Sequence, residues 1–159
     1  IYEYTDALPR AFLAGNYIIE PDDQAAVKKL FDPSTEISQI LILPQKPALD
    51  PQPDPNASIE VVSYTPNKIT FSTKSSQNQL LFLSDTYYPG WWAKIDKGAK
   101  QPIIAANYAF RAVPVPAGAH IVEMYYLPDS FTTGLKIAII ALLLLVAIPK
   151  VVRLQSKSA

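Results

Sequence analysis

WWAKIDKGAKQPIIAANYAFRAVPVPAGAHIVEMYY, residues 91–126, reads as short β-strands cut by turn chemistry. Trp91–Ile95, Gln101–Ala105, Ala109–Val115 and His120–Tyr126 are rich in branched and aromatic residues, which suit a pleated, half-buried surface. Lys97-Gly98, Asn107 and Pro116-Ala117-Gly118 separate them and carry the residue types that tight turns require. Period-two alternation sorts the first strand by face. Trp91, Ala93 and Ile95 fall on an apolar side, and Trp92, Lys94 and Asp96 on a polar one.

The same pattern extends upstream. Ile59–Tyr64, Lys68–Lys74 and Gln79–Ser84 are strands, broken at Pro66-Asn67 and Ser75–Asn78, and Pro89-Gly90 turns the chain toward Trp91. Seven short strands at regular spacing predict a mainly β fold, an antiparallel β-sandwich over residues 58–128. Five prolines lie between Pro44 and Pro55. Such a run cannot pair in a sheet and prefers extended polyproline geometry, so residues 44–57 form a linker or a traverse between layers. Residues 1–43 form a small αβ segment. Residues 10–17 read as one strand, Pro21-Asp22-Asp23 opens a helix that Asp32-Pro33 ends, and Ile37–Leu43 is a second strand. Phe12 and Leu41 are apolar positions that this segment presents either to the sandwich or to a partner.

Downstream the character changes. FTTGLKIAIIALLLLVAI, residues 131–148, holds one charge, Lys136. At a rise of ~1.5 Å per residue this run is about 27 Å long, close to a bilayer's hydrocarbon thickness. A transmembrane helix is expected over residues 129–152, followed by a basic cytoplasmic tail at 153–159. Lys136 would snorkel to the outer headgroups, while Lys150 and Arg153 mark the inner boundary. Basic residues favour the cytoplasmic side, which places the β domain outside. Only Leu127–Ser130 separate it from the span, so the domain is expected close to the bilayer.

Composition narrows the function classes. Fourteen basic residues balance fourteen acidic ones, and no basic cluster precedes the tail, which argues against a nucleic-acid partner. The chain has no cysteine, so disulfides and thiolate chemistry are excluded. An external domain without disulfides suits a bacterium. The single histidine, His120, has no second ligand at metal-binding spacing and reads as a half-exposed surface residue. No nucleophile elbow, phosphate loop or zinc-protease motif occurs. Asp85 with Asp96 could form a carboxylate pair for glycoside chemistry, although nothing in the sequence fixes their separation. No catalytic residue and no cofactor is assigned. Around Pro89-Gly90, Asp85, Tyr87, Tyr88 and Trp92 form a candidate surface for a glycan or for the membrane interface. Sugar C–H groups stack on aromatic faces while a carboxylate accepts hydroxyls, and the same aromatics suit lipid headgroups. Trp91 is expected in the core.

Several phrases carry a family resemblance. They are Leu83-Ser84-Asp85 with Tyr88-Pro89-Gly90-Trp91, Ala106-Asn107-Tyr108-Ala109-Phe110-Arg111, and Val115-Pro116-Ala117-Gly118. Tyr126 to Ser130, Leu8-Pro9-Arg10-Ala11-Phe12 and Tyr64-Thr65-Pro66-Asn67 add to them. In this order they resemble the C-terminal region of the bacterial YfhO family of multi-spanning membrane proteins. The resemblance implies integral-membrane glycosyltransferases that draw sugar from a polyprenyl-phosphate carrier and decorate envelope polymers outside the cell. It implies that the catalytic acid lies upstream of Ile1, so no catalytic residue carries over to this chain. Trp92 stands where a polar residue is more usual, and Lys97 lengthens a turn that is usually Asp-Gly.

Two functions follow as expectations. One is a membrane-anchored extracytoplasmic β domain of a YfhO-like protein in envelope glycosylation, serving acceptor binding or structure rather than chemistry. The alternative is a single-span accessory subunit of a larger membrane complex. Expected partners are the bilayer, membrane helices of the same or another protein, and a glycan or polyprenyl-linked sugar. A soluble hydrolase would need a nucleophile or acid pair that the sequence does not cluster.

Overall fold

In the computed structural model, which describes residues 7–155 and the side chains of 7–145, the alternating apolar positions close into two antiparallel sheets. The strands in chain order are β1 (Ala11–Ala14), β2 (Asn16–Ile19), β3 (Ile40–Leu43), β4 (Ser58–Thr65), β5 (Lys68–Ser75) and β6 (Gln79–Leu83). They continue with β7 (Trp91–Ile95), β8 (Gln101–Pro102), β9 (Ile104–Ala106), β10 (Phe110–Val115) and β11 (Gly118–Tyr126). One sheet runs β1-β6-β10-β9 and the other β4-β5-β11-β7-β8. The expected mainly β, antiparallel fold is what the chain adopts. Phe71, Leu81, Val113, Val122 and Met124 are almost wholly buried between the sheets and draw on both. Burying each such side chain contributes about 1.5–3 kcal/mol.

Two strands differ from the sequence reading. Gln101–Ala105 is not one strand, because Pro102 pairs with Trp92 in one sheet and Ile104 with Ala112 in the other. Ile103, buried at the corner, is where the chain changes sheets. Residues 10–17 likewise split into β1, paired with β6, and β2, paired in parallel with β3. The break is Gly15. A Cβ there would land on the backbone of Gln52 and Pro53, so the proline-rich traverse passes directly over it.

A third layer covers the outer face of the four-stranded sheet. Helix α1 (Asp23–Leu30) starts where Asp22 accepts from the Ala25 N–H at 2.8 Å. Beside it, Leu41 and Leu43 of β3 pack on Leu80, Phe82, Ala106 and Ala112. Leu41 is fully buried within its own chain, so it faces the sandwich and not a partner. The junction is made at Asn107. Its N–H donates to the Ile42 carbonyl and its Oδ1 accepts from the Ile42 N–H, both at 2.8 Å. Asn107 and Tyr108 both take positive φ, 48° and 68°, which forms the tight β9–β10 connection. An asparagine satisfies both demands, because it tolerates the left-handed region and its short amide mimics a backbone partner.

Residues 127–159 form a separate unit containing α2 (Asp129–Gln155). Ile137, Ile139, Ile140 and Leu142–Leu145 are all more than half exposed along it. Among the described residues, no helix is long and apolar enough to cross a membrane. The expected span at 129–152 therefore lacks support from the described residues. Their uninterrupted apolar run, Ile137–Leu145, is about 14 Å long, roughly half a hydrocarbon core. Lys136 is exposed on α2, whereas the side chains of Lys150 and Arg153 lie outside the described residues.

Candidate functional site

Most of the motif phrases converge on Asp85, while Val115–Gly118 lies beside His120. This residue follows β6 on the segment that crosses from one sheet to the other. Arg10, just before β1, donates to Asp85 Oδ1 from Nε at 2.9 Å and from Nη2 at 2.7 Å. Tyr64, near the end of β4, donates to Oδ2 at 2.8 Å and itself accepts from Arg10 Nη2. Arg111, at the start of β10, brings Nη1 to 3.8 Å from Oδ2 and donates from Nε to the Thr86 carbonyl at 2.9 Å. The Arg111 guanidinium stacks 3.7 Å from the centroid of Trp91, whose ring in turn sits 5.6 Å from that of Tyr126.

Charge explains the arrangement. The Arg111 side chain is only 8% exposed, and burial lowers its pKa against the opposing pull of Asp85. Among the described residues its Nη1 has no hydrogen-bond partner, so the Trp91 face and the Asp85 carboxylate compensate it electrostatically. Hydrogen bonding to Asp85 raises the Arg10 and Tyr64 pKa values, which keeps both groups protonated. The Asp85 carboxylate is thus engaged from three sides by its own chain and does not stand open to sugar hydroxyls.

The other candidate residues do not join it. Tyr87 packs against the inter-sheet core and Tyr88 is exposed. Trp91 packs on the core, as its alternation requires. Trp92 lies on the opposite face, in register with Tyr125 on β11 and Pro102 on β8. Lys100 Nζ sits 3.9 Å from the Trp92 ring centroid, and Lys94 Nζ 5.5 Å from that of Tyr125.

Asp96 is at the far end of β7 from Asp85. Five strand residues intervene, about 17 Å of rise, which is too far for a glycosidase carboxylate pair. Asp96 instead binds His120, Oδ2 to Nδ1 at 2.5 Å, and accepts the Ile121 N–H at 2.9 Å. The histidine therefore has an acidic partner that the sequence spacing did not show. Hydrogen bonding to Asp96 raises the His120 pKa, and the same bond lowers that of Asp96. Asp96 and Lys97 both take positive φ, which brings the carboxylate back over β11. Position 97 is thus the second residue of a tight turn closed by Gly98 N–H to the Ile95 carbonyl at 2.7 Å.

An open apolar cleft of about 300 Å³ lies between the end of α1 and the four-stranded sheet. Phe12, Phe82 and Phe110 form its aromatic floor, with Phe12 and Phe110 ring centroids 4.8 and 5.7 Å from that of Phe82. Its polar lining residues do not amount to a reactive set. No group of acidic or histidine residues able to hold a metal occurs among the described residues.

All but one of these motif phrases lie within a known family's territory. The family described as bacterial membrane protein YfhO matches residues 55–138, 84 of the chain's 159. The chain belongs to the YfhO family. It is similar to the protein named uncharacterized protein YfhO of Bacillus subtilis (strain 168), 34% identical over 85 residues. That match covers 54% of this chain and 10% of the relative, so the chain spans about a tenth of the protein it resembles. No solved structure matches it. Tyr64, Asp85, Trp91, Arg111 and Tyr126 all fall inside the YfhO match, and Arg10 completes their network from outside it.

Proposed function

We propose that this chain is an extracytoplasmic β domain and the adjoining membrane helix of a YfhO protein acting in cell-envelope glycosylation, with a structural rather than catalytic role. One observation carries this reading. The carboxylate around which most of the family's motif phrases meet is only 13% exposed, held by hydrogen bonds from Arg10 and Tyr64 and by the charge of Arg111. A closed ion network cross-links strands, whereas an acid that works on substrate needs an open approach. The exposed apolar side chains of α2 support a bilayer as its surroundings. In sequence the apolar run continues from Ile137 to Ile148, and the basic residues after it favour a cytoplasmic C-terminus.

The absence of cysteine permits a direct test. Ser34→Cys and Ser156→Cys, each introduced singly, are treated in intact cells with a membrane-impermeant maleimide. The proposal requires labelling at position 34 from outside and at 156 only after permeabilisation. Equal labelling of both in intact cells sinks the span. The non-catalytic role predicts that Tyr88→Ala with Trp92→Ala leaves sugar transfer by the full protein within about twofold of wild type, since transition-state contacts are worth tenfold per 1.36 kcal/mol. A larger loss would make this surface an acceptor site.

A further inference from the structure

The outer face of the five-stranded sheet is not uniform. At the end where β11 runs out, Trp92, Tyr125 and Lys68 form one outward row with Pro102. Lys94 and Glu123 stand in the next row, also opposite each other. Lys100 lies over Trp92 and Lys94 over Tyr125. Glu123 pairs with Lys68 at 2.7 Å. Three lysines against one glutamate leave this patch with two net positive charges, although the whole chain has none.

From this patch we infer that the Trp92–Tyr125 face docks on anionic phospholipid headgroups. The inference rests on the proposed reading of α2 as a membrane span. A sugar platform would need an open aromatic face, but an ammonium already occupies one face of Trp92 at 3.9 Å. An ammonium held on an indole points a cation at phosphate oxygens, while the ring edge supplies the amphipathic surface that Trp and Tyr bring to the headgroup layer. Covalent reach fits the same occupant. Three residues, Tyr126–Pro128, separate Tyr125 from the start of α2, a tether of at most about 14 Å. Charge complementarity selects anionic over zwitterionic lipid, because each lysine near such a surface contributes roughly fivefold in affinity.

The test uses the whole chain reconstituted in vesicles of phosphatidylcholine alone, or of phosphatidylcholine and phosphatidylglycerol in equal amounts. Spin-labelled headgroups serve as the quencher of tryptophan emission, with Trp92→Phe giving the Trp91 background. Docking requires Trp92 quenching in the anionic vesicles that fades in phosphatidylcholine and with added salt. Lys94→Gln with Lys100→Gln should lower the docked-to-undocked ratio by about thirtyfold. Both lysines are on the surface, so unchanged thermal unfolding confirms that the variant folds. Quenching that ignores lipid charge and both lysines overturns the inference, as does a Trp92 signal that responds to soluble polysaccharide and not to lipid. Alkaline extraction reports α2 separately. An extractable chain removes the span, whereas an inserted chain with unquenched Trp92 removes only the docking face.

Discussion

Strand β7 begins and ends beside an aspartate that grips a cation, yet the two ends are built for different purposes. Asp85 joins both sheets, since Arg10 and Arg111 come from the four-stranded side and Tyr64 and Trp91 from the five-stranded side. Asp96 joins β7 to β11 within one sheet, through His120 and the Ile121 N–H. In the first network Arg10 and Tyr64 hold their protons near neutrality, and Asp85 and Arg111 at its centre are largely buried. The second contains the one side chain type whose ordinary pKa lies within the physiological range, and its aspartate is half exposed. One end therefore ties the two sheets together, and the other responds to pH within a single sheet.

Breaking the Asp85 end should have the largest effect. Asp85→Ala leaves Arg111 buried without its counter-charge and should cost about 3 kcal/mol of unfolding free energy, read from denaturant midpoints. A loss within experimental error would mean that Trp91 alone stabilises the guanidinium. At the Asp96 end, Gly118 takes φ of +131°, and a Cβ there would stand 2.9 Å from His120 Nε2. Gly118→Ala should cost about 1–2 kcal/mol through backbone strain and disturb the histidine resonances. Arg10→Ala sharpens the contrast inside the Asp85 network. The Arg10 side chain is 60% exposed, so its removal should cost no more than about 1 kcal/mol although it approaches Asp85 more closely than Arg111 does, 2.7 against 3.8 Å.

The smallest effect is the one that separates the ends most cleanly. His120 has its pKa raised above 6.5 when folded, so its pairing with Asp96 stabilises fully below pH 6.5 and is lost as pH rises through the folded pKa. Unfolding midpoints of the wild type should therefore fall over that interval relative to His120→Gln. In an Asp85→Asn background the same pH-dependent difference should persist. If it vanishes there, the two ends are coupled through β7 and the division between them fails.

Much of this was legible in the sequence, and what was not has a common cause. Period-two alternation placed Trp91 inward and Trp92 outward, and turn chemistry located nearly every strand, because both signals are local. The Asp85 network assembles residues 10, 64, 85 and 111, and no local pattern links them. Asp85 accordingly read as an open acceptor for sugar hydroxyls, although its carboxylate is occupied. His120 and Asp96 lie 24 residues apart and meet because β7 and β11 pair. The division of 101–105 between two sheets was hidden because Ile103 is apolar like its neighbours. Only the pairing partners of Pro102 and Ile104 distinguish the two halves. Leu41 stayed open between the sandwich and a partner because an apolar strand looks the same whether its own sheet or another molecule covers it.

The paired hydrogen bonds between Asn107 and Ile42 have a consequence during synthesis. The two residues are separated by 65 positions. At a ribosomal pace of about 5–20 residues per second, β3 waits roughly 3–13 s before the turn that receives it has been made. Leu41 and Leu43 spend that interval without the sheet that will cover them. The nascent segment then resembles a short apolar patch of an unfinished protein, a natural target for a holding chaperone on whichever side of the membrane it emerges.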